Sequence, residues 1–545
     1  MRTIKISVGY GWSEGPVNKD ERWQGLREFC RAAADHGYTF GWSHRCRVCR
    51  AKGQGACRRG LWFARRRRAH NQRRIHIDEF HRTTALSRDA HDYGYFFRQG
   101  AAQIITGDHN EKPLKTNAYF NSLTLSWVAA LAFCANVAIA QPVESVLALA
   151  KKEQPALLQT MKELVEIESG SADYDGLEKI AGVIAGRLKQ LGAKVELVEA
   201  GPDIYKMFDT PEKIGKMVRA TFSGAGTKKI LLLAHMDTVY PRGMLAGQPF
   251  KIEGDRAFGL GIADNKHGVA VILHTLAMLR TLKFNDYGTL TVLINADEEI
   301  SSPGSRQLIT KLGGEHDAVL SFEGGGGPQV DQVRLATSGI GAATITVRGR
   351  ASHAGAAPER GVNALYEIAP RVLQPRDLSN PKVGTHVNWT LARAGIVRNM
   401  IPPGAQAQAD IRVDVVADLN GIEQTLRERI KNKLLPETEV TLEFENRRPP
   451  LQATDASRAL GAHAVGIYAE IGQKLALRDR PSGGGTDAAF AALSTKAPVV
   501  EGFGLRGFGS HSTNAEYILI PSIEPRLYLA TRMIMDISSG KAPLK

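Results

Sequence analysis

Five short stretches carry side chains able to bind a metal or move a proton. His235-Met236-Asp237 follows the apolar run Ile230–Ala234. Gly259-Leu260-Gly261-Ile262-Ala263-Asp264-Asn265-Lys266 sets a carboxylate in a glycine-flanked turn ahead of an apolar helix. Asp297-Glu298-Glu299 ends the run Thr289–Ala296, Glu323 ends Ala318–Phe322, and His511 sits in Gly509-Ser510-His511-Ser512. A ligating imidazole needs an acceptor for its second nitrogen, and Asp237, two residues on in extended chain, points to the same side as His235. Neighbouring residues of extended chain point to opposite sides, so one of Glu298 and Glu299 can bind metal while the other faces a substrate as a base. Two histidines with three carboxylates suit a pair of zinc ions, one carboxylate bridging. Each stretch alone is ordinary: His-x-Asp is usually a capped structural histidine and an acidic triplet a solvated turn. Their joint occurrence at successive strand ends is what points to a metal centre.

The elements that must hold these residues alternate. Val143–Glu168 and Asp175–Leu191 have helical periodicity, Val195–Val198, Ile230–Ala234, Thr289–Ala296 and Ala318–Phe322 are strand-like, and Lys266–Leu282 is a helix between two of them. Buried apolar strands alternating with helices imply an α/β sheet with parallel pairs, whose ligand crevice lies at the carboxyl ends of the strands. Near Thr337 the pattern changes. Ala343–Arg348, Val387–Ala394 and Ala405–Val415 read as strands, with helices near Val362–Val372 and Leu419–Asn432. The α/β character returns from Leu451, through the turn Gly483–Gly485, to a last helix at Ile523–Ile537. The fold class expected is α/β, a catalytic domain in two parts (141–336 and 451–545) interrupted by an α+β domain at 337–450.

At 545 residues the chain exceeds a single core, and its composition is that of a globular protein. Its formal charge of +14 is concentrated at one end: residues 1–115 hold 23 Lys+Arg against 11 Asp+Glu, and residues 141–545 hold 47 against 45. All five cysteines and five of the six tryptophans precede residue 141. Between the halves, Leu123–Ala138 is apolar and ends Ala138-Ile139-Ala140, an A-x-A cleavage pattern. Residues 115–140 therefore read as a signal peptide, too short and Ala-rich for an anchor, giving a secreted, periplasmic product of 405 residues with no stable membrane span and no cysteine. No methionine lies between Met1 and Met161, and Leu114 precedes the signal directly. Residues 1–114 are expected to be an Arg-rich extension, disordered or non-native, arising from a start placed upstream of a leucine codon. Cys46-x-x-Cys49, Cys57 and Arg65–Arg68 allow a zinc module on nucleic acid, but a fourth ligand is wanting and hydrophobic periodicity is poor. The near-neutral remainder gives no reason to expect a nucleic-acid partner.

From about Val143 to its end the chain resembles the M20 family of zinc metallopeptidases, closest to the glutamate carboxypeptidase (carboxypeptidase G2-like) branch. The matching stretches are His235-Met236-Asp237-Thr238-Val239-Tyr240, Gly261-Ile262-Ala263-Asp264-Asn265-Lys266, Asp297-Glu298-Glu299, Ser352-His353-Ala354-Gly355-Ala356-Ala357-Pro358-Glu359 and Gly483-Gly484-Gly485-Thr486-Asp487-Ala488-Ala489. The resemblance implies two zinc ions per subunit, one on His235, Asp264 and Glu323, the other on Asp264, Glu299 and His511, with a cis peptide after Asp264. It makes Asp237 the residue that orients His235, and Glu298 the general base that deprotonates the attacking water and returns the proton to the leaving amine. It further implies a homodimer through the inserted domain, which is lid and interface at once. His353 of that domain would serve the partner's site by stabilising the oxyanion. Arg412, Asn399, Gly484 and Gly485 match substrate-binding positions. The reaction implied is hydrolysis of an amide or peptide bond in a small peptide or N-acyl amino acid, with release of a C-terminal amino acid such as glutamate.

Some positions depart from the family pattern. Leu260 replaces a residue that is often Arg or Pro, and His267, where Gly is common, is expected at the surface or just behind the ligands. Glutamate-releasing members carry a lysine in the loop after Glu323. Here no lysine lies between Glu323 and Ser338, and only Arg334 is basic. Other activities of the family (aminoacylase, dipeptidase, desuccinylase) therefore stay open beside carboxypeptidase. A non-catalytic metal- or peptide-binding protein would be expected to have lost the base or a ligand, and none is lost.

Overall fold

Alternate residues of the apolar runs pack in opposite directions. Ile230, Leu232 and Ala234 join Leu290, Val292 and Ile294 in one core, while Leu231, Leu233 and Leu293 join a second core on the other face. A strand buried on both faces reads as continuous apolar sequence, which is why these runs stand out. The computed structural model describes residues 141–512 and 515–545, with three strands further upstream. The expected signal segment 115–140 and the motif Cys46, Cys49, Cys57 lie outside the described residues. The upstream strands, Ile4–Ile6, Tyr38–Ser43 and Leu61–Arg66, pair antiparallel as one sheet in a unit of their own. Among the described residues no helix is long and apolar enough to cross a membrane.

The central sheet has eight strands in the order Leu475–Arg478, Asp331–Arg334, Val499–Glu501, Ala318–Ser321, Lys229–His235, Thr289–Asn295, Met217–Ser223 and Lys194–Val198. Its middle is parallel: Ala318–Ser321 pairs in parallel with both Val499–Glu501 and Lys229–His235, and the latter pairs in parallel with Thr289–Asn295. The margin from Met217 to Val198 is antiparallel. Helices Glu144–Val165, Tyr174–Gln190, His267–Thr281, Asp455–Glu470 and Ile523–Ser538 supply one core, and Arg306–Glu315 with Ala488–Ala492 the other. The helix Tyr174–Gln190 begins where the Asp173 side chain accepts from the Gly176 amide at 3.0 Å, and Asp455–Glu470 begins with a reciprocal Thr454–Ser457 box.

Residues 339–448 form a four-stranded antiparallel sheet, in the order His386–Ala394, Gly404–Val413, Gly339–Arg348, Glu439–Arg448, covered by helices Ala364–Leu373 and Val416–Arg429. Ile345, Val347, Ile368, Ile411, Leu419 and Leu426 give it a core separate from the other two. The chain enters and leaves this segment side by side, with Thr337 and Leu451 bridged antiparallel.

Candidate metal centre

The carboxyl ends of the parallel strands deliver the candidate ligands. His235 is the last residue of its strand, Asp297-Glu298-Glu299 begins two residues after Asn295, and Glu323 lies two residues after Ser321. Asp264 comes from an irregular turn, with a cis Asp264–Asn265 peptide. The turn can lie this close to the His235 strand only because residue 261 is glycine. Its φ is +70°, and a Cβ there would come within 2.3 Å of Thr238. His511, also at positive φ (61°), projects from the hairpin loop between Gly507–Phe508 and Tyr517–Leu519.

Two donor sets result, and they share Asp264. His235 Nε2 is 3.1 Å from Asp264 Oδ1 and 3.1 Å from Glu323 Oε1. His511 Nε2 is 3.2 Å from Asp264 Oδ2 and 3.0 Å from Glu299 Oε2. Zinc bonds of about 2.0–2.1 Å in tetrahedral geometry place donors roughly 3.3 Å apart, so both sets have the spacing of one ion. A second observation agrees: Glu299 Oε1 is buried with no hydrogen-bond partner, as a carboxylate oxygen kept for a cation would be. Burial, with the charge of Asp264, pushes Glu299 well above the usual carboxylate range, and burial takes Glu323 up to about 8. Burial also works against the charge of His235. The Glu323 charge and bonds to Asp237 and Asp264 outweigh it and hold the ring well above its ordinary value. Hydrogen bonds to Asp264 and Glu299 push His511 up to about 11. Carboxylates this crowded require positive charge among them, and a divalent cation meets that need better than protons.

The residues behind the ligands are fixed by backbone donors. Asp237 is fully buried. Its Oδ1 lies 3.3 Å from His235 Nδ1 and accepts the Glu298 amide at 3.1 Å, and its Oδ2 accepts the Glu299 amide at 3.1 Å and the Ser171 hydroxyl at 2.7 Å. Asp237 thus sets the imidazole, whose Nδ1 donates to the Asp237 main-chain carbonyl at 3.1 Å with the carboxylate close by, and its carboxylate sets the start of the acidic turn. Glu298 and Glu299 diverge as expected, Glu299 toward His511 and Glu298 toward Arg448. Arg448, 2% exposed, donates from Nη1 to Glu298 Oε1 and from Nη2 to the Glu298 carbonyl at 2.7 Å, with Asp487 Oδ1 3.5 Å away. Nothing in the motifs marked Arg448; the only local signal is Arg447-Arg448-Pro449-Pro450, where the chain leaves the inserted segment.

A cavity of about 1030 Å³ opens over the centre, lined by Asp264, Glu298, Glu299, Glu323 and His511, and across from them by Gln408, Asp410 and Arg412. Of the proposed substrate contacts, Arg412, Gly484 and Gly485 line it. Arg412 is held bidentately by Asp410 (2.9 Å for both bonds) and donates to the Gly483 carbonyl at 3.2 Å. His353 and Asn399 do not line it. They stand next to each other on the exposed face of the inserted segment, where the Ala354 amide donates to the Asn399 carbonyl at 3.0 Å. His267 is not at the surface: it is fully buried, and its two ring nitrogens lack well-formed hydrogen bonds, because the helix His267–Thr281 is packed on nearly every side. Desolvation takes its pKa down to about 4.

Comparison with known proteins places the chain in a family. The chain is 44% identical to carboxypeptidase G2 of Pseudomonas sp. (strain RS-16) over 415 residues, covering 76% of this chain and 97% of that one. It is 25% identical to succinyl-diaminopimelate desuccinylase of Stenotrophomonas maltophilia (strain R551-3) over 353 residues, 62% of this chain and 88% of the relative. The crystal structure of an M20 metallo-carboxypeptidase from Sulfolobus solfataricus shares the fold, with a TM-score of 0.57 at 16% identity over 70% of this chain and 99% of that one. Residues 231–536 match peptidase family M20/M25/M40. That span begins in the strand carrying His235 and ends beyond His511, and the chain belongs to this family as a zinc-dependent hydrolase of its carboxypeptidase G2-like branch.

Proposed function

We propose that the chain is a di-zinc carboxypeptidase that releases the C-terminal amino acid of a small peptide or N-acyl amino acid. The observation that carries this reading is the pair of donor sets sharing Asp264, with Glu298 beside them on the wall of the same cavity. His235, Asp264 and Glu323 would hold one ion, and Asp264, Glu299 and His511 the other. When bound, the ions supply Lewis acidity that polarises the scissile carbonyl and favours deprotonation of water. Asp237 holds His235 with Nε2 toward the centre. Glu298 is the general base: a carboxylate oxygen takes the proton of the attacking water and delivers it to the leaving nitrogen. Arg412, with the backbone at Gly484 and Gly485, anchors the free carboxylate of the substrate.

His353 and Asn399 act on the site of a partner subunit. Nδ1 of His353 accepts the amides of Gly355 (3.1 Å) and Ala356 (3.0 Å), so the neutral ring carries its proton on Nε2, the form that donates to an oxyanion. The edge strand His386–Ala394 has one unpaired side, and Leu391, Ile396 and Val397 are exposed on and beside it, which supports a homodimer through residues 337–450. The Ala138-Ile139-Ala140 pattern supports secretion to the periplasm after cleavage of residues 115–140.

Zinc-loaded protein offered a panel of N-acyl amino acids and dipeptides, each as free acid and C-terminal amide, tests the reading. Hydrolysis of the free acids with release of the C-terminal residue is expected, and equal turnover of the amides would overturn it. One observation favours a second reading within the family, as an aminoacylase, dipeptidase or desuccinylase. The strand after Glu323 turns Gln332 and Arg334, not a lysine, toward the cavity. The released amino acid identified in the same panel decides between them.

A further inference from the structure

Three segments that carry or flank the ligands meet at one buried side chain outside both donor sets. Glu516, 3% exposed, accepts the Gly261 amide on Oε2 at 3.0 Å and the Ala263 amide on Oε1 at 2.7 Å. The Tyr240 hydroxyl donates to the same Oε2 at 2.6 Å and lies 3.3 Å from the Ser512 carbonyl. The main chain of Glu516 also takes part, its carbonyl accepting the Gly259 amide at 3.4 Å. Gly261 and Ala263 begin the turn that carries Asp264, Glu516 ends the hairpin loop that carries His511, and Tyr240 lies five residues past His235.

The two donor sets depend on these segments unequally. In the set His235, Asp264, Glu323, two ligands stand at the ends of central strands and only Asp264 comes from a loop tied to Glu516. In the set Asp264, Glu299, His511, two of three ligands come from such loops, and His511 is half exposed and held at positive φ. A ligand loop unsupported from behind must be ordered when the ion binds, and that ordering weakens the site.

We propose that Glu516 is a positioning residue that fixes the Asp264 turn to the His511 hairpin and so preorganises the Asp264/Glu299/His511 site in preference to the other. None of its hydrogen bonds reaches a donor atom of either site; its carboxylate accepts from the turn and from Tyr240. The inference rests on the two-zinc reading above.

The experiment is a competitive chelator titration of zinc into full-length protein stripped of metal, for wild type, Glu516→Ala and Tyr240→Phe, repeated in a His511→Ala background. Wild type is expected to bind two ions. Glu516→Ala should weaken one site by roughly tenfold or more and the other far less, and in the His511→Ala background it should leave the remaining site nearly unchanged. Tyr240→Phe, which keeps both backbone bonds to Glu516, should move the same site in the same direction by a smaller factor. Equal weakening of both sites in Glu516→Ala, or no change in either variant, overturns the assignment while the two-zinc reading stands. Fewer than two ions on wild type overturns both.

Discussion

Arg448 grips Glu298 at two points, the carboxylate through Nη1 and the main-chain carbonyl through Nη2, although the residues are 150 positions apart. The proposed base is thus held in place by the last residue of the inserted segment's strand Glu439–Arg448. Replacing Glu298 by Gln keeps the size of the side chain and removes its basicity. Turnover should fall by about 10²–10⁴-fold, the ordinary share of a general base, with two zinc ions per subunit retained. Metal analysis beside kcat checks this, and full activity would refute the assignment.

Loss of Arg448 should cost stability as well as activity. Arg448→Ala leaves Glu298 and Asp487 facing each other in a buried setting without their cation, and breaking a buried pair from one side typically costs about 3–5 kcal/mol. Chemical denaturation gives the value. Adding Glu298→Ala to Arg448→Ala should recover part of the loss, and a double variant no more stable than the single would show that the pair is not its source.

His353 acting in trans makes an arithmetic prediction. His353→Ala alone should lose roughly 10²–10³ in turnover, as for one oxyanion donor, with zinc content unchanged. Protomers carrying His353→Ala and Glu298→Ala, unfolded and refolded together, should regain about a quarter of wild-type activity, because half the dimers are mixed and each has one complete site. Activity no higher than the sum of the separate variants would place His353 in its own protomer's site or in neither.

Buried His267 sets an acid limit on stability. Its pKa is about 4 in the folded protein and about 6.5 in an unfolded chain. The unfolded state therefore binds the proton first. The contribution is complete above about pH 6.5 and is lost as pH falls toward 4, up to about 3 kcal/mol. Denaturation of metal-free protein at pH 7.5 and pH 5 should show a smaller pH effect in His267→Gln than in wild type. Identical slopes would mean that the ring is hydrated or bonded.

Legibility in the sequence followed burial. The strands carrying His235, Glu298 and Glu323 stand out because both faces are covered, and their ends locate the donor sets. Met217–Ser223, with Arg219 and Thr221 among its apolar residues, and the short strands Asp331–Arg334 and Leu475–Arg478 give no such run. The helix Asp455–Glu470 is rich in alanine and glycine and lacks a strong apolar stripe. Within the site, residues inside motifs were identifiable by type and spacing. Arg448, Asp487 as partner of Arg448, and Glu516 were not, because their roles arise from contacts made across 39 to 276 positions. Of the two places the sequence leaves open for His267, the surface and the layer behind the ligands, the surface is excluded, because the mainly apolar helix His267–Thr281 carries the residue into the interior.

The bridge between Thr337 and Leu451 has a genetic consequence. Every proposed zinc ligand, together with Asp237 and Glu298, is encoded outside residues 337–450, whereas Arg412, Asn399, His353 and Arg448 are encoded inside them. Because the two crossing strands leave the catalytic body side by side, the interior segment can be exchanged at one seam without altering the order of the strands in the central sheet. Recombination at that seam would give the ligand set new lid-borne substrate contacts in a single event, provided the incoming segment also ends in an arginine that pairs with Glu298.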